Sequence, residues 1–532
     1  MRRKLVVALL IVLCLIGQNL AAECTIFAVG KDASADGSTM VSHTCDSTSD
    51  DFTVYIIPSM KGGADAERDI VLNSHAHADY SNYPEVKDYG AGMLVDTMAQ
   101  SKDTNQYLHS MYSFMNDKGL AVGESTFWYS SSTEQGKKLD KAIYENNNGI
   151  IDAYSLQDFA LENCSKAREA ILYMGDILKK YGWNTSVEIF NICDGDEAWV
   201  MEIYGRDLWA AVRVPDNAVF VGANRARINY VDMNDTENYL CSDNLVSFAV
   251  ENGLWSEASG VPFRPCEVYS PYPQAYSSRR EWRAMTLLDP TLDIDPEDTG
   301  CCSYPLFVVP QNKVSVQDIY DLCSDYYSGT DYDVTKTVEA GPFGNPLNVR
   351  NAERTINLFR CTYIQIANVK SWLPDEAKCL VWFGWGAPDS TYLVPLWGSQ
   401  TRLPKFFSEG TRLSDFDPNS GWWVCSYVQQ VATINYQDAI KTIHGLRDPK
   451  MEKQYNTVNV LQNQAALMIK NGLADEAVDL LTTYSYQNAS QWHDQWYKLG
   501  NELLSTYMFG MKDMGSVKVS DWWKNVVATA AI

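Results

Sequence analysis

Histidine is scarce in this chain, with six among 532 residues. His75 and His77 would share one face of a predicted strand, but the sequence offers no evident third ligand beside them. Catalytic zinc takes three protein ligands and structural zinc takes four. Glycine motifs for phosphate or dinucleotide binding are also missing after the predicted strands. The sequence therefore predicts no metal site and no cofactor.

Clusters of basic residues and long apolar runs are equally lacking. No run rich in lysine or arginine follows Lys4, and the net charge is -24. Binding to nucleic acid depends on clustered cations, so this class of partner is excluded. After residue 23, no segment approaches the roughly 18 apolar residues that a membrane-spanning helix needs. The prediction is an acidic chain without a membrane span, and its sequence leaves homo-oligomer formation open.

The first 23 residues have the features of a signal peptide. Arg2, Arg3 and Lys4 precede an apolar stretch over residues 5–16, and small residues end the segment at positions 21–22. This order of basic, apolar and small residues is typical of a cleaved leader. We therefore expect a mature protein that is secreted, or lies in a periplasmic or lumenal compartment.

Cysteine is present thirteen times, and its positions matter more than its number. Cys14 would leave with the leader, so twelve cysteines remain. If Cys24 is kept as a free thiol, eleven are left, and at least one more must be unpaired. The pairing of the others cannot be read from the sequence.

Hydrophobicity patterns predict an α+β protein. Residues 24–30 and 39–44 read as two strands of a hairpin, and residues 187–192, 198–204, 208–214 and 218–223 read as a run of antiparallel strands. Residues 156–181 have helical spacing, and from about residue 430 the pattern becomes helical. We expect one catalytic body over residues 24–425, with a helical region over residues 426–532 packed on it.

Cys24 becomes chemically distinctive if it is the first residue of the mature chain. A free α-amino group has a pKa of about 7.7 to 8.0 and can accept the proton of the thiol. The thiolate then attacks a carbonyl, and the ammonium can protonate the leaving amine. Nucleophile and base would thus belong to one residue.

Such a nucleophile needs a carboxylate to orient its amine and a donor for the oxyanion of the tetrahedral intermediate. Asp46 follows the second strand of the hairpin and could return toward Cys24. Asn224 follows a strand and offers an amide donor. Glu23 is the weak point, because the small residues favour cleavage after Ala22. Either the cut falls after Glu23, or Glu23 is trimmed later, for instance by Cys24 itself.

Several segments together resemble the N-terminal-nucleophile (Ntn) cysteine dipeptidases, the dipeptidase A and secernin-related family, with penicillin V acylase and bile salt hydrolase as distant relatives. The opening segment is CTIFAVGKDASADGSTM at residues 24–40. Supporting segments are NDKGLAVGEST at 116–126, VGANR at 221–225, SRREWRA at 278–284 and WFGWGAPDSTY at 382–392. The resemblance covers most of residues 24 to about 425.

This resemblance implies a four-layer αββα fold with two stacked antiparallel sheets. It implies Cys24 as the nucleophile, Asp46 as the partner of its amine and Asn224 as the oxyanion donor. A second donor is implied near Ser125. Arg279 or Arg280 is implied to lie near the nucleophile.

The chain departs from the family pattern at one site position. Many relatives have Arg-Asn-x-Asp where this chain has His43-Thr44-Cys45-Asp46, so a fixed cation is replaced by a titratable imidazole. His43 is therefore a candidate for the substrate site, together with Ser125. Glu124 could bind a substrate ammonium group, and Arg279 or Arg280 a substrate carboxylate.

The resulting hypothesis is a cysteine dipeptidase that acts on short peptides. Three alternatives remain open. One is an amidase of the same fold that cleaves a non-peptide acyl amide, and another is a catalytically silent, secernin-like protein. The third is a papain-like Cys–His enzyme in which a histidine such as His43 serves as the base.

Overall fold

A computed structural model describes residues 24–72, 92–145, 147–185, 187–350 and 353–530. The predicted leader and the His75/His77 pair lie outside the described residues. Within these ranges, no helix is long and apolar enough to cross a membrane.

Most strands belong to two large antiparallel sheets. They are β1 Thr25–Val29, β2 Thr39–Asp46, β3 Tyr55–Ile57, β4 Glu67–Leu72, β5 Met93–Ala99, β6 Tyr107–His109, β7 Met115–Asn116, β8 Ala121–Thr126, β9 Glu188–Cys193, β10 Ala198–Gly205, β11 Leu208–Arg213, β12 Val219–Gly222, β13 Tyr239–Cys241, β14 Phe307–Val308, β15 Cys361–Val369, β16 Cys379–Trp385 and β17 Val394–Trp397. One sheet has the order β14-β12-β1-β2-β15-β16-β17, and the other has β13-β11-β10-β9-β8-β7-β6-β3. Strands β4 and β5 form a separate pair.

The helices flank these sheets. They are α1 Glu134–Leu139, α2 Ala153–Asn163, α3 Ala167–Tyr181, α4 Leu245–Glu251, α5 Pro265–Tyr269, α6 Ala275–Leu288, α7 Val316–Cys323, α8 Asp375–Lys378, α9 Gly421–Ala432, α10 Tyr436–Lys470, α11 Ala474–Thr506 and α12 Asp521–Ala530. A π-helical turn, Asp140–Tyr144, continues α1, and short 3₁₀ turns lie at Glu257–Ser259, Val334–Lys336, Pro346–Asn348, Pro388–Ser390, Lys405–Phe407, Thr433–Asn435 and Met508–Gly510.

The two large sheets are stacked, which confirms the predicted α+β sandwich. Strands β1 and β2 of one sheet contact β8 and β9 of the other. Helix α3 packs on β10 and β11, while α9 contacts β16 and α11 contacts β17. The central strands β1, β2, β8 and β9 are buried along their whole length. This is expected for strands covered on both faces, and the C-terminal helices provide part of that cover.

The predicted hairpin is present as β1 and β2. Its register pairs Thr25 with Thr44 and Ile26 with His43. Cys24 precedes β1 directly, so the hairpin brings the end of β2, at Asp46, back to Cys24. A single hairpin therefore brings Cys24 and Asp46 close together in space.

Two expectations about secondary structure were wrong. The helix predicted over residues 156–181 is divided between α2 and α3. The first helix ends because the backbone of Cys164 is extended. The second helix is capped by Asp194, whose Oδ2 accepts from the backbone N–H of Ala167 at 3.0 Å. The four-strand run does not form one sheet. Strand β12 pairs with β1 in the other sheet, since the turn after β11 binds the β1–β2 connection through Asp216 O and the Ala33 amide at 2.8 Å.

Candidate active site

Cys24 lies at the interface between the two sheets. Its thiol is fully buried, and Sγ lies 3.2 Å from His43 Nε2 and 3.2 Å from Glu124 Oε1. His43 Nε2 is in turn 3.0 Å from Glu124 Oε1. His43 comes from β2 and Glu124 from β8, so each sheet contributes one neighbour. The three groups form a compact buried cluster of thiol, imidazole and carboxylate.

The electrostatics of this cluster favour a protonated thiol. Burial raises the pKa of Cys24 well above its ordinary value, and the negative charge of Glu124 raises it further. Burial also acts to raise the pKa of Glu124, but the charge and hydrogen bond of His43, together with hydrogen bonds from Glu188 and Cys24, outweigh burial and lower the pKa overall. Cys24 therefore needs a base close by before it can act as a nucleophile.

Asp46 is fully buried beside Cys24 and forms an ion pair that the sequence did not indicate. Its Oδ2 accepts from Arg354 Nη2 at 2.6 Å and from Thr44 Oγ1 at 3.1 Å. Burial raises the pKa of Asp46, while Arg354 acts in the opposite direction. Its other oxygen, Oδ1, accepts no hydrogen bond from the described residues. One acceptor atom of Asp46 is therefore available for a cation such as a mature N-terminus.

Asn224 follows β12 and has a left-handed backbone, with φ of 56°. Asparagine is one of the few residues that adopt this conformation at low cost. Its Nδ2 donates to Thr126 O at 2.6 Å, and its Oδ1 accepts from Arg280 Nη2 at 2.8 Å. An amide nitrogen carries two hydrogens, so one N–H remains for a further acceptor.

Ser125 and Arg280 hold the backbone of Cys24 in place. Ser125 Oγ donates to Cys24 O at 3.3 Å and accepts from the backbone N–H of Asn224 at 3.2 Å. Arg280 Nη1 donates to Cys24 O at 2.8 Å and to Thr25 Oγ1 at 3.0 Å. Cys24 and Asn224 are thus linked through shared partners.

The two adjacent arginines of helix α6, Arg279 and Arg280, occupy different environments. Arg280 is fully buried and uses its guanidinium on Cys24, Thr25, Asn224 and the carbonyls of Ala223 and Tyr276. Arg279 points elsewhere and forms ion pairs with Glu353 and, at 2.8 Å, with Glu297. Of these two arginines, only Arg280 is brought to Cys24.

Sequence reasoning missed Arg354 and Glu188. Arg354 lies in an irregular segment with no recognisable pattern, so nothing in the sequence pointed to it. Glu188 begins β9, is 2% exposed and lies beside Glu124. Glu188 is the only charged residue of the strand Glu188–Cys193. Its isolated charge in the sequence could have indicated a functional residue.

Two groups of described residues have the ligand atoms to hold a metal ion. One is the cluster of Cys24, His43 and Glu124, and the other consists of Cys266, Cys301 and Cys302. In each group the ligand atoms lie within 4.8 Å of one another. The first group includes the thiol of Cys24, so an ion bound there would occupy that thiol.

Comparison with known proteins identifies the family. A family model described as Peptidase family C69 matches residues 23–448. A "Probable dipeptidase" of Latilactobacillus sakei is 25% identical over 485 residues, covering 89% of this chain and 93% of that protein. A "Probable dipeptidase" of Salmonella dublin is 26% identical over 391 residues, covering 72% of this chain and 82% of that protein. A "Dipeptidase" of Bifidobacterium longum is 22% identical over 490 residues, covering 88% and 85%. Because the family model spans most of the chain, the resemblance seen in the sequence is confirmed, and the chain belongs to peptidase family C69.

Proposed function

We propose that this protein is a secreted cysteine dipeptidase whose nucleophile is Cys24 and whose base is the α-amine that processing exposes on the same residue. The names of the relatives support dipeptide hydrolysis. One observation carries the mechanism: Asp46, fully buried beside Cys24, keeps Oδ1 without a partner among the described residues. A buried acceptor of this kind is costly unless a donor reaches it. The α-amine of a mature N-terminal Cys24 is such a donor, and the carboxylate would balance the positive charge that the amine gains with the thiol proton.

The reaction starts with transfer of the thiol proton to the α-amine. The thiolate then forms a bond to the scissile carbonyl carbon, and the carbonyl oxygen becomes an oxyanion. The ammonium gives its proton to the leaving amine as the peptide bond breaks, which leaves a thioester on Cys24. Water, deprotonated by the same amine, hydrolyses the thioester and restores the thiol.

Asn224 is proposed to stabilise the oxyanion. Its second amide hydrogen is unused, and its position is fixed by the bonds to Thr126 and Arg280. Donors that are held in place before the reaction cost no reorganisation in the transition state. Arg280 and Ser125 act as positioning residues, because both bind the carbonyl oxygen of Cys24.

A second mechanism is favoured by one specific contact. His43 Nε2 lies 3.2 Å from Cys24 Sγ, within reach for proton transfer, and Glu124 lies against the same imidazole nitrogen. In this mechanism His43 is the base, as in a Cys–His enzyme. It differs from the first in one measurable respect, because it does not require a free amine on Cys24.

The decisive experiment compares three forms of the full chain, each verified by intact mass: one that begins at Cys24, one that keeps Glu23, and Cys24→Ala. We expect the form beginning at Cys24 to hydrolyse dipeptides. The form with Glu23 should lose about 10²- to 10⁴-fold in kcat, the usual contribution of a general base, and Cys24→Ala should be inactive.

Each contrary result has a distinct meaning. Equal activity with Glu23 retained would exclude the α-amine as base and leave His43 in that role. A folded form beginning at Cys24 that cleaves no dipeptide would contradict dipeptidase activity. Cleavage of an acyl amide by that form would then identify an amidase, and no cleavage of either substrate would identify a silent protein.

A further inference from the structure

Three cysteine side chains form a second cluster, separate from the Cys24 site. Cys266 is in helix α5, and Cys301 and Cys302 are adjacent in the turn that precedes β14. Cys266 Sγ lies 3.4 Å from Cys302 Sγ, and Cys301 Sγ lies 3.9 Å from Cys302 Sγ. All three sulfur atoms are within 4.8 Å of one another. They therefore form a small triangle.

The size of this triangle fits a metal ion that is bound by three thiolates. Zinc binds thiolate sulfur at about 2.3 Å with tetrahedral geometry, so two sulfur ligands of one ion lie about 3.8 Å apart. The separations of 3.4 and 3.9 Å lie on either side of this value. A disulfide would need about 2.05 Å between two sulfur atoms and would leave the third thiol unused. The triangle therefore favours a shared ion over a crosslink.

The fold holds both cysteine segments against one stretch of chain, residues 225–228. The backbone N–H of Cys266 donates to Ile228 O at 3.0 Å. Arg225 Nη1 donates to Gly300 O at 3.0 Å, directly before the cysteine pair. The sulfur atoms are thus positioned by hydrogen bonds in which they take no part. An ion would need little rearrangement of the chain in order to bind.

Glu267 is a candidate for the fourth ligand. Its carboxylate lies beside Cys302, and carboxylate oxygen is an established zinc ligand, whereas Cu(I) is selected by soft sulfur ligands. Arg264 also lies beside Cys302, and its Nη1 is 3.4 Å from Glu267 Oε1. Three thiolates and one carboxylate carry more negative charge than Zn²⁺ neutralises. The Arg264 guanidinium offsets part of the excess.

The cluster can be reached from solvent. Cys266 is fully buried, whereas Cys301 and Cys302 are partly exposed. Each bond from sulfur to zinc replaces an S–H bond, and the proton passes to water. Mg²⁺ and Ca²⁺ prefer oxygen ligands and do not suit this site. Cys266 and Cys302 are 36 residues apart, so the sequence contains no compact metal-binding motif here.

We propose that Cys266, Cys301 and Cys302 bind one zinc ion, with Glu267 as the fourth ligand. Four protein ligands close the coordination sphere, which is typical of structural zinc rather than catalytic zinc. The ion joins helix α5 to the turn before β14 and stabilises this part of the fold. The proposal is independent of the dipeptidase function, because it involves none of the groups assigned to catalysis.

The test uses Cys24→Ala as the parent, because Cys24, His43 and Glu124 could otherwise bind an ion as well. The full mature chain with this substitution is purified without chelator, and native mass spectrometry measures its metal content. We expect one zinc ion per chain, which a chelator removes and added Zn²⁺ restores. After removal, Co²⁺ serves as a spectroscopic probe and should give thiolate-to-metal charge-transfer absorption.

Ligand variants are made in the same parent. Cys266→Ser and Cys302→Ser should each weaken zinc binding more than about 100-fold, because loss of a ligand costs more than loss of an outer-shell partner. Both should also lose the cobalt absorption. Cys241→Ser is the matched control, since Cys241 is partly exposed on β13 and lies outside the cluster. It should bind both ions like the parent. An unchanged Kd for zinc in Glu267→Gln would refute Glu267 as a ligand.

Two results would overturn the proposal. One is a parent that lacks zinc and in which alkylation without reduction shows two of the three cysteines joined as a disulfide. The other is zinc binding that is absent in the parent, or equal in the parent and both cysteine variants. If Cys266→Ser does not fold, Cys302→Ser and the parent decide the question. The chelator should lower the Tm of the parent and Zn²⁺ should restore it, and an unchanged Tm would contradict a structural ion.

Discussion

Replacing Asn224 tests whether its amide serves the reaction or only the fold. The two variants Asn224→Gly and Asn224→Ala both remove the side-chain donor, but they differ in how easily they adopt the left-handed backbone conformation. At φ of 56°, glycine is free of strain. Alanine is destabilised by about 1 to 2 kcal/mol in the left-handed conformation. The pair therefore separates chemistry from stability.

The expected effect on catalysis follows from the loss of one oxyanion donor. Such a loss costs about 2.7 to 4 kcal/mol of transition-state stabilisation, or about 10²- to 10³-fold in kcat. Both variants should show this loss to the same extent, because neither retains an amide. KM should change less than kcat, since the oxyanion exists only after attack.

The expected effect on stability has two parts. Both variants leave the Thr126 carbonyl and the Arg280 guanidinium without their partner, at about 1 to 3 kcal/mol for each unsatisfied group. Asn224→Ala should have a lower free energy of unfolding than Asn224→Gly, because alanine is also strained in the left-handed conformation. Urea denaturation of the processed protein measures the free energy of unfolding, and a dipeptide hydrolysis assay measures kcat.

Met514→Gly is the control, because Met514 has φ of 57° and is 64% exposed. It should leave kcat unchanged. A folded Asn224 variant with normal kcat would refute the role of Asn224 as oxyanion donor. A kcat that falls in proportion to stability across the two variants would show that Asn224 acts only through the fold.

Three further predictions concern the surroundings of the site. Arg354→Gln removes the cation paired with buried Asp46 and should lower the free energy of unfolding by about 3 to 5 kcal/mol in urea; unchanged stability would show that Asp46 needs no cation. Burial raises the pKa of Glu202 to about 7 in the folded protein, against 4.5 ordinarily. Between these pH values the folded state keeps a proton that the unfolded state has released, so stability should fall by about 3 kcal/mol as pH rises from 4.5 to 7. Denaturation at several pH values should show a flatter profile for Glu202→Gln, and an identical profile would exclude Glu202 as the source. Gly123→Ala would place a methyl group 2.5 Å from Asn191 Oδ1, between the sheets, and thermal unfolding should reveal a cost of about 1 to 3 kcal/mol; normal stability would mean that the sheets can separate locally.

The predictable part of the site is the part held together by local structure. Cys24 and Asp46 are joined by a single hairpin, and the polar turn and apolar strands of that hairpin are visible in the sequence. Asn224 was recognisable because it follows a strand within the segment VGANR, which resembles the family pattern. Glu124 and Ser125 were named for the same reason. In each case a short motif placed the residue.

The contacts between elements could not be predicted in this way. Arg279 and Arg280 are adjacent in the sequence, and only the orientation of helix α6 decides that Arg280 reaches Cys24 while Arg279 pairs with Glu353 and Glu297. The break between α2 and α3 depends on Asp194, which is distant in sequence from both helices. Periodicity in one segment carries no information about such partners.

The sequence by itself determined that Cys24 follows a leader-like segment, that a hairpin returns Asp46 toward it, and that the chain is an α+β protein of the C69 type. These features depend on composition, apolar periodicity and short motifs, all of which act locally. Only the tertiary structure decided that His43 and Glu124 contact the thiol, that Glu188 lies beside Glu124, and that Arg354 pairs with Asp46. Those residues come from different strands and loops, and stacking of two sheets is what removes them from water and brings their charges together.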